Sequence, residues 1–197
     1  SVDTASAWAG ARGEDIQLIR ADIERCRRVL HDMASRSGGV AGEAPIPRAL
    51  ADLASDVLAQ LAPDERRRVD VTIPGDVTIR WPDAAVTRAL ANIVRNGLQA
   101  SSLDGRVTLA ARREPPDRVL ITIADRGHGM ASDVRARAAE PFYTTKPEGS
   151  GMGLGLFVAT STIDQLGGTL RVTSASGQGT TVDVALPLDV AAPDAHA

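Results

Sequence analysis

The chain has 197 residues, of which 43% are hydrophobic, so it is long enough to bury one core and carry a small additional segment. Its net charge is −3 and only 3% of its residues are aromatic, which disfavours a nucleic-acid surface, because such a surface needs a basic face and stacking rings. No apolar run approaches the roughly 18 residues of a membrane-spanning helix, and one cysteine excludes an internal disulfide, so we expect a soluble fragment from a reducing compartment.

Residues 14–36 are predicted to form a helix with one apolar stripe. The apolar residues alternate in spacing between three and four positions, the a/d pattern of a coiled coil: Ile16, Ile19, Ile23, Cys26, Leu30 and Met33. A lone helix cannot bury such a stripe, so we expect it to pair with a second copy of the chain. A Ser-Gly-Gly breaker follows, and residues 37–46 are interpreted as a linker.

The remainder of the chain mixes strands with three predicted helices. Pro47 is expected to open a helix with a core-facing stripe from Leu50 to Leu61, and the other two helices are described below. Strands are predicted at 69–73, 77–81, 106–112, 118–124, 168–174 and 180–186. This alternation favours an α/β fold, a two-layer sandwich with one helical face. Residues 189–197 are predicted to be disordered.

The second predicted helix starts near Asp83, after Pro82, and carries two asparagines. Asn92 and Asn96 are four positions apart and therefore share its polar face. Neutral amide oxygens on one face suit Mg²⁺, a hard ion that keeps several waters and takes other ligands from phosphates. The alternative is that both amides simply cap or solvate the helix.

A carboxylate and two glycines follow the predicted strand at 118–124. Asp125 falls at the strand end, where it can point into a pocket and accept a hydrogen bond from an exocyclic amine such as that of adenine. Gly127 and Gly129 permit a sharp turn and a close approach to a flat ligand. The alternative is an ordinary turn aspartate before glycine.

Glycines occupy every second position from 149 to 155, and a third helix is predicted to begin at Leu154. A helix N-terminus next to glycines favours a bound phosphate. A Walker A loop is excluded because the chain has no G-K-[ST], and a dinucleotide fingerprint fails because Leu154 or Leu156 stands where its last glycine is needed.

These motifs, together with Phe-Tyr-Thr-Thr-Lys at 142–146, resemble in order and spacing the ATP-binding catalytic domain of sensor histidine kinases. That domain belongs to the superfamily of gyrase, MutL and heat-shock chaperone ATPases, and the resemblance covers residues 47–188. It implies ATP and Mg²⁺ as ligands, with Asn96 and Asn92 toward the metal. The ATP-binding residues are then Asn92, Asn96, Asp125, Gly127, Gly129, Tyr143, Thr144, Thr145, Lys146, Gly151, Gly153, Leu154, Gly155, Leu156 and Thr180.

Two of these positions have plain structural alternatives. Lys146 is expected from the resemblance to reach the phosphates, but a lysine in a loop is commonly solvated. Thr180 matches a Gly-Thr pair that lies near the base in the family, but threonine also favours strands.

The resemblance also implies the type of chemistry. ATP-hydrolysing members of the superfamily have a glutamate four residues before the metal asparagine, and Asn92 stands there instead. An amide cannot take up a proton, so transfer of the γ-phosphoryl group to a histidine is favoured over hydrolysis. The alternatives are a partner-switching serine kinase of the anti-sigma type and a degenerate nucleotide-binding module.

The helix predicted at 14–36 resembles the second helix of a dimerisation and phosphotransfer domain, so residues 1–36 are interpreted as part of such a domain. Residues 14–30 especially resemble that helix in the RegB-type redox-responsive kinases. The resemblance implies a homodimer, a response regulator as partner and a cytoplasmic position, alone or as part of a membrane sensor. His31 lacks the proline of the acceptor box, so it is interpreted as a surface residue. Cys26, beside arginines that favour a thiolate, is a redox candidate, with a small buried hydrophobe as the alternative.

Overall fold

The structure, a computed structural model, describes residues 45–146 and 152–190. The helices in these ranges are α1 (Leu50–Ala59), α2 (Pro63–Arg66), α3 (Asp83–Ala100), α4 (Ser132–Arg137) and α5 (Gly155–Gln165). The strands are β1 (Ile46–Ala49), β2 (Val69–Thr72), β3 (Thr78–Trp81), β4 (Val107–Glu114), β5 (Arg118–Asp125), β6 (Thr169–Ser174) and β7 (Thr180–Pro187). The predicted N-terminal helix, with Cys26 and His31, lies outside the described residues.

Five strands form one sheet in the order β2-β4-β5-β7-β6. β2 runs parallel to β4, and the other neighbours are antiparallel. The β4–β5 pairing places Val107 opposite Asp125, so Asp125 lies at the end of the central strand, level with the start of β4. β1 and β3 form a separate antiparallel pair.

One face of the sheet is covered by helices. Along β5, Val119, Ile121 and Ile123 are buried, whereas the residues between them are partly exposed. This two-residue alternation is typical of a sheet with one face in the core. α3 packs on this face and against α1 and α5, so the predicted two-layer α/β sandwich is confirmed.

The helix predicted to open at Pro47 begins three residues later. Pro47 lies instead in β1, opposite Arg80, and Ala49 is still extended. Proline has no N–H to donate, which suits a two-stranded edge better than a sheet interior. The helix starts at Leu50, whose N–H donates to the carbonyl of Val77 at 2.9 Å. The predicted apolar stripe is correct, since Leu50, Leu53, Ala54 and Val57 are buried.

The packed unit extends beyond residues 47–188 at both ends. Ile46 belongs to β1, and Val190 is buried with its N–H donated to the carbonyl of Arg80 at 3.0 Å. Trp81 is fully buried and donates its Nε1–H to the carbonyl of Pro187 at 2.6 Å. These bonds tie the C-terminal end of the described chain to β3.

None of the helices in the described ranges has both the length and the apolar character needed to cross a lipid bilayer.

Candidate nucleotide site

A cavity of about 660 Å³ opens between α3, the end of β5, the start of β7, the segment around α4 and the start of α5. Most predicted binding residues line it: Asn96, Asp125, Gly129, Tyr143, Thr144, Thr145, Lys146, Gly153, Leu154, Gly155, Leu156 and Thr180. Asn92 and Gly127 are not part of the lining, and Gly151 lies outside the described residues. Segments that are far apart in the chain therefore meet at one concave surface large enough for a small ligand.

Asp125 is the last residue of β5, as the sequence predicts. Its Oδ1 accepts hydrogen bonds from the backbone N–H groups of Gly127 at 2.8 Å and Thr180 at 3.3 Å. Its Oδ2 makes no hydrogen bond to another described residue and remains an acceptor for a ligand. Burial raises the pKa of Asp125, although the two backbone bonds and the nearby His128 act in the opposite direction.

The glycines after Asp125 make room for the protein's own backbone. A Cβ on Gly127 would lie 2.3 Å from the carbonyl oxygen of Ala100, at the end of α3. Gly129 has φ +62°, and its Cβ would lie 1.9 Å from the carbonyl oxygen of Ala175. Both positions therefore need glycine for packing on α3 and on the β6–β7 turn, a reason other than the predicted close approach to a ligand.

The two asparagines have different surroundings. Asn96 lines the cavity, whereas the Oδ1 of Asn92, one turn earlier, accepts from Arg95 at 3.4 Å. Gly155 at the start of α5 lies close to both, since an added Cβ would be 3.7 Å from Asn96 Nδ2 and 3.9 Å from Asn92 Cβ. The shared polar face is confirmed, and it is directed toward the start of α5.

Lys146 reaches across the cavity to α3. Its Nζ donates to the Oδ1 of Asn96 at 3.4 Å and to the Oε1 of Gln99. Its backbone N–H donates to the Oγ1 of Thr144 at 3.1 Å. Desolvation lowers the pKa of Lys146 from its ordinary value. The ammonium group thus lies beside amide oxygens, at the end of α3 opposite to its N-terminus.

The segment 141–146 packs directly on the glycine-rich segment. The N–H of Phe142 donates to the carbonyl of Gly153 at 3.1 Å, and Gly153 has φ +66°. A Cβ at Gly153 would lie 2.6 Å from the carbonyl carbon of Phe142, so glycine is required at this contact. Tyr143 lines the cavity, and the guanidinium carbon of Arg137 lies 4.1 Å from the centre of its ring.

α5 begins at Gly155, with Leu154 as its N-cap, close to the predicted start. Leu154, Gly155 and Leu156 all line the cavity. The first N–H groups of a helix have no partners within the helix, and the helix dipole favours an anion there. The N-terminus of α5 is therefore suited to bind phosphate. Phosphate binding at this position stays a prediction.

Several residues of this region were not among the predicted binding residues, and two of them, Gln99 and Ser174, are polar groups with a partner in the site. Gln99 lies one turn after Asn96 on the same helix, so its i,i+3 spacing could have indicated it. Ser174, at the end of β6, does not line the cavity but bonds to Thr180, which does. No local pattern indicates Ser174, because its partners come from separate segments.

Residues 82–190 match the family model described as "Histidine kinase-, DNA gyrase B-, and HSP90-like ATPase". The match covers more than half of the 197 residues, and the chain belongs to this family.

The relatives found by comparison include sensor histidine kinases and proteins described as sensor proteins. The chain is 37% identical over 103 residues to the sensor histidine kinase ZraS of Salmonella typhi, covering 52% of this chain and 22% of ZraS. It is 31% identical over 181 residues to the alginate biosynthesis sensor protein KinB of Pseudomonas aeruginosa, covering 88% of this chain and 30% of KinB. The chain thus spans less than a third of either relative.

The solved structures that superpose on this chain include sensor histidine kinases as well. The mycobacterial sensor histidine kinase MprB superposes with a TM-score of 0.61 at 26% identity, covering 73% of this chain and 97% of that one. Full-length ShkA, in complex with AMPPNP, gives a TM-score of 0.67 at 26% identity, covering 98% of this chain and 40% of that one. The resemblance to the catalytic domain of sensor histidine kinases is confirmed.

Proposed function

We propose that this domain binds Mg²⁺·ATP and transfers the γ-phosphoryl group to a histidine on a separate dimerisation domain, for relay to a response regulator. The observation that carries the proposal is that one cavity brings together Asp125, Asn96 and the start of α5. These provide an acceptor for a base, an amide oxygen for a cation and a positive helix end for phosphates.

At the base end, Asp125 Oδ2 is the group proposed to accept from the 6-amino group of adenine. Its partner oxygen is held by two backbone N–H groups, so the carboxylate has one fixed orientation. A preorganised acceptor discriminates by leaving a wrong base with an unpaired polar group.

At the phosphate end, the residues present fit a bound Mg²⁺. The Oδ1 of Asn96 already faces a cation, the Lys146 ammonium, so this amide oxygen is directed where a metal ion can use it. Within residues 45–146 and 152–190 no three His, Cys, Asp or Glu side chains cluster in a way that could hold a metal. Asn96, with Asn92 as second candidate, would therefore share the ion with phosphates and water, as Mg²⁺ prefers. Bound there, Mg²⁺ would neutralise phosphate charge.

Transfer to a side chain is favoured over hydrolysis by the amide at position 92. Asn92 Oδ1 accepts from Arg95 and cannot act as a general base. The protein's own role is then to hold ATP in line with an incoming nucleophile and to exclude water. The partner-switching serine kinase is the rival, and the names of the relatives favour the histidine kinase. A homodimer through residues 1–36 and a cytoplasmic position belong to the same proposal.

The test is transfer of label from [γ-³²P]ATP to a separately supplied dimerisation domain that contains its acceptor histidine. We expect acid-labile label on the acceptor domain, none on this chain alone, and nucleotide binding in the micromolar to millimolar range. Asn96→Ala should abolish transfer, whereas Gln178→Ala, which removes an exposed amide in the β6–β7 turn, should not. Acid-stable label on a serine, or full activity of Asn96→Ala, would refute the proposal.

A further inference from the structure

Ser174 is a buried hydroxyl next to the site, with a side chain that the proposed chemistry does not use. It is 9% exposed and lies at the end of β6. Its Oγ is 2.9 Å from the backbone nitrogen of Met130, 2.8 Å from the carbonyl oxygen of Gly179 and 3.0 Å from the Oγ1 of Thr180. Two segments of the chain, at Met130 and at Gly179 with Thr180, therefore meet at this one hydroxyl group.

Counting protons assigns the direction of each bond. The N–H of Met130 can only donate, so Ser174 accepts from it, and the carbonyl of Gly179 can only accept, so Ser174 donates its single proton there. No proton remains on Ser174 for Thr180. The hydroxyl of Thr180 must therefore donate to Ser174, which leaves Thr180 with lone pairs only for any other partner.

Asp125, next to Thr180, also offers a ligand only a hydrogen-bond acceptor. Thr180 and Asp125 line the same cavity, and the backbone N–H of Thr180 donates to Asp125 Oδ1. Asp125 Oδ2 is an acceptor, so both groups offer acceptors and no donor to a ligand at this end. A 6-amino purine can donate to them, whereas a 6-keto purine places an oxygen there.

We propose that Ser174 is a positioning residue that fixes the Thr180 hydroxyl as an acceptor and thereby sets the preference of the site for 6-amino over 6-keto purine nucleotides. This inference rests on the proposed nucleotide-binding function. It adds a buried side chain, outside the cavity lining, that determines which base is accepted.

The test compares the dissociation constants of ADP and inosine diphosphate, which carries a keto group at position 6, by calorimetry on the 197-residue chain. Ser174→Ala frees the Thr180 hydroxyl to rotate and donate, so we expect the preference for ADP to fall roughly three- to ten-fold, the range for one neutral hydrogen bond. Thr180→Val should weaken ADP and leave inosine diphosphate unchanged. In the Thr180→Val background, Ser174→Ala should not further change the ratio of the two dissociation constants.

Equal weakening of both nucleotides by Ser174→Ala would show a merely structural role and overturn the inference. If that variant does not fold, Thr180→Val decides: a larger loss for inosine diphosphate than for ADP would mean that Thr180 donates, and the inference would be wrong. Asp125→Asn separates this failure from that of the proposed function. Unchanged ADP affinity in Asp125→Asn would reject the base site itself, whereas weakened ADP binding with an unchanged Ser174→Ala ratio rejects only the inference.

Discussion

Replacing Asp125 with asparagine should separate nucleotide binding from folding, because its two oxygens have different partners. Oδ1 accepts from the backbone N–H groups of Gly127 and Thr180, whereas Oδ2 has no hydrogen bond within the described residues. An asparagine can place its oxygen at the Oδ1 position and keep both backbone bonds. Its NH₂ then takes the Oδ2 position, so an acceptor becomes a donor.

The expected changes in ADP affinity and in the free energy of unfolding follow from these contacts. A hydrogen bond to a charged acceptor is worth about 1.5–3 kcal/mol, so Asp125→Asn should raise the dissociation constant of ADP roughly 10- to 150-fold. The free energy of unfolding of Asp125→Asn should fall by less than about 0.5 kcal/mol or should rise, since a neutral amide is easier to bury than a carboxylate. Asp125→Ala leaves both backbone N–H groups without their acceptor and should cost about 1–3 kcal/mol.

Calorimetric titration with ADP and urea unfolding without nucleotide, on the wild type and both variants, measure the two effects. The reasoning would be refuted if Asp125→Asn bound ADP as well as the wild type. It would also be refuted if Asp125→Asn lost as much stability as Asp125→Ala, because the Oδ1 bonds would then not survive the exchange.

Two further outcomes are expected. Burial raises the pKa of Asp125 above its ordinary value of 3.8, so the native state holds this proton more tightly than the unfolded state. The stabilisation from this group is complete below pH 3.8 and is lost as the pH rises through the raised pKa. Protonation of Asp125 should also lower ADP affinity on acidification through the same range. The contribution of Asp125 to both trends should be absent in Asp125→Asn, so unfolding and binding measured against pH should differ between the variant and the wild type in this range. Gly129→Ala should cost about 2–4 kcal/mol in urea unfolding or prevent folding, because its φ is +62° and its Cβ would meet a carbonyl oxygen at 1.9 Å. Gly75→Ala is the matched control, since nothing lies within 4 Å of its added Cβ; equal stability of the two variants would contradict the packing argument.

The features that the sequence predicts well are local ones. Asp125 ends its strand and α5 starts within one residue of Leu154, because a β-rich run and an apolar helical run carry their own limits. The short helices α2 and α4 were missed, since four and six residues show no helical period. The sequence predicts Pro47 in a helix because nothing local indicates otherwise; only the pairing of β1 with β3, over 30 residues away, makes it a strand residue.

In the candidate site, too, local features can be predicted from the sequence and contacts between distant segments cannot. Glycines at 127 and 129 are visible in the sequence, but their physical reason is contact with Ala100 and Ala175, which no local pattern reveals. The roles of Asn92 and Asn96 differ because only one of them lines the cavity, although their spacing is equivalent on a helix. Spacing predicts which side chains share a face, and only the packing of α3 on its neighbours decides which of them meets a ligand.

The last turn of α3 connects the two ends of the cavity. Asn96 lines the proposed phosphate end, while the carbonyl of Ala100, one turn later, accepts from the N–H of His128 at 3.1 Å and holds the loop after Asp125. Arg68 fixes this turn by donating to the carbonyls of Leu98 at 3.2 Å and Ser102 at 2.7 Å. A displacement of this helix end would therefore move the proposed base site and the proposed metal ligand together, since both are attached to one rigid element.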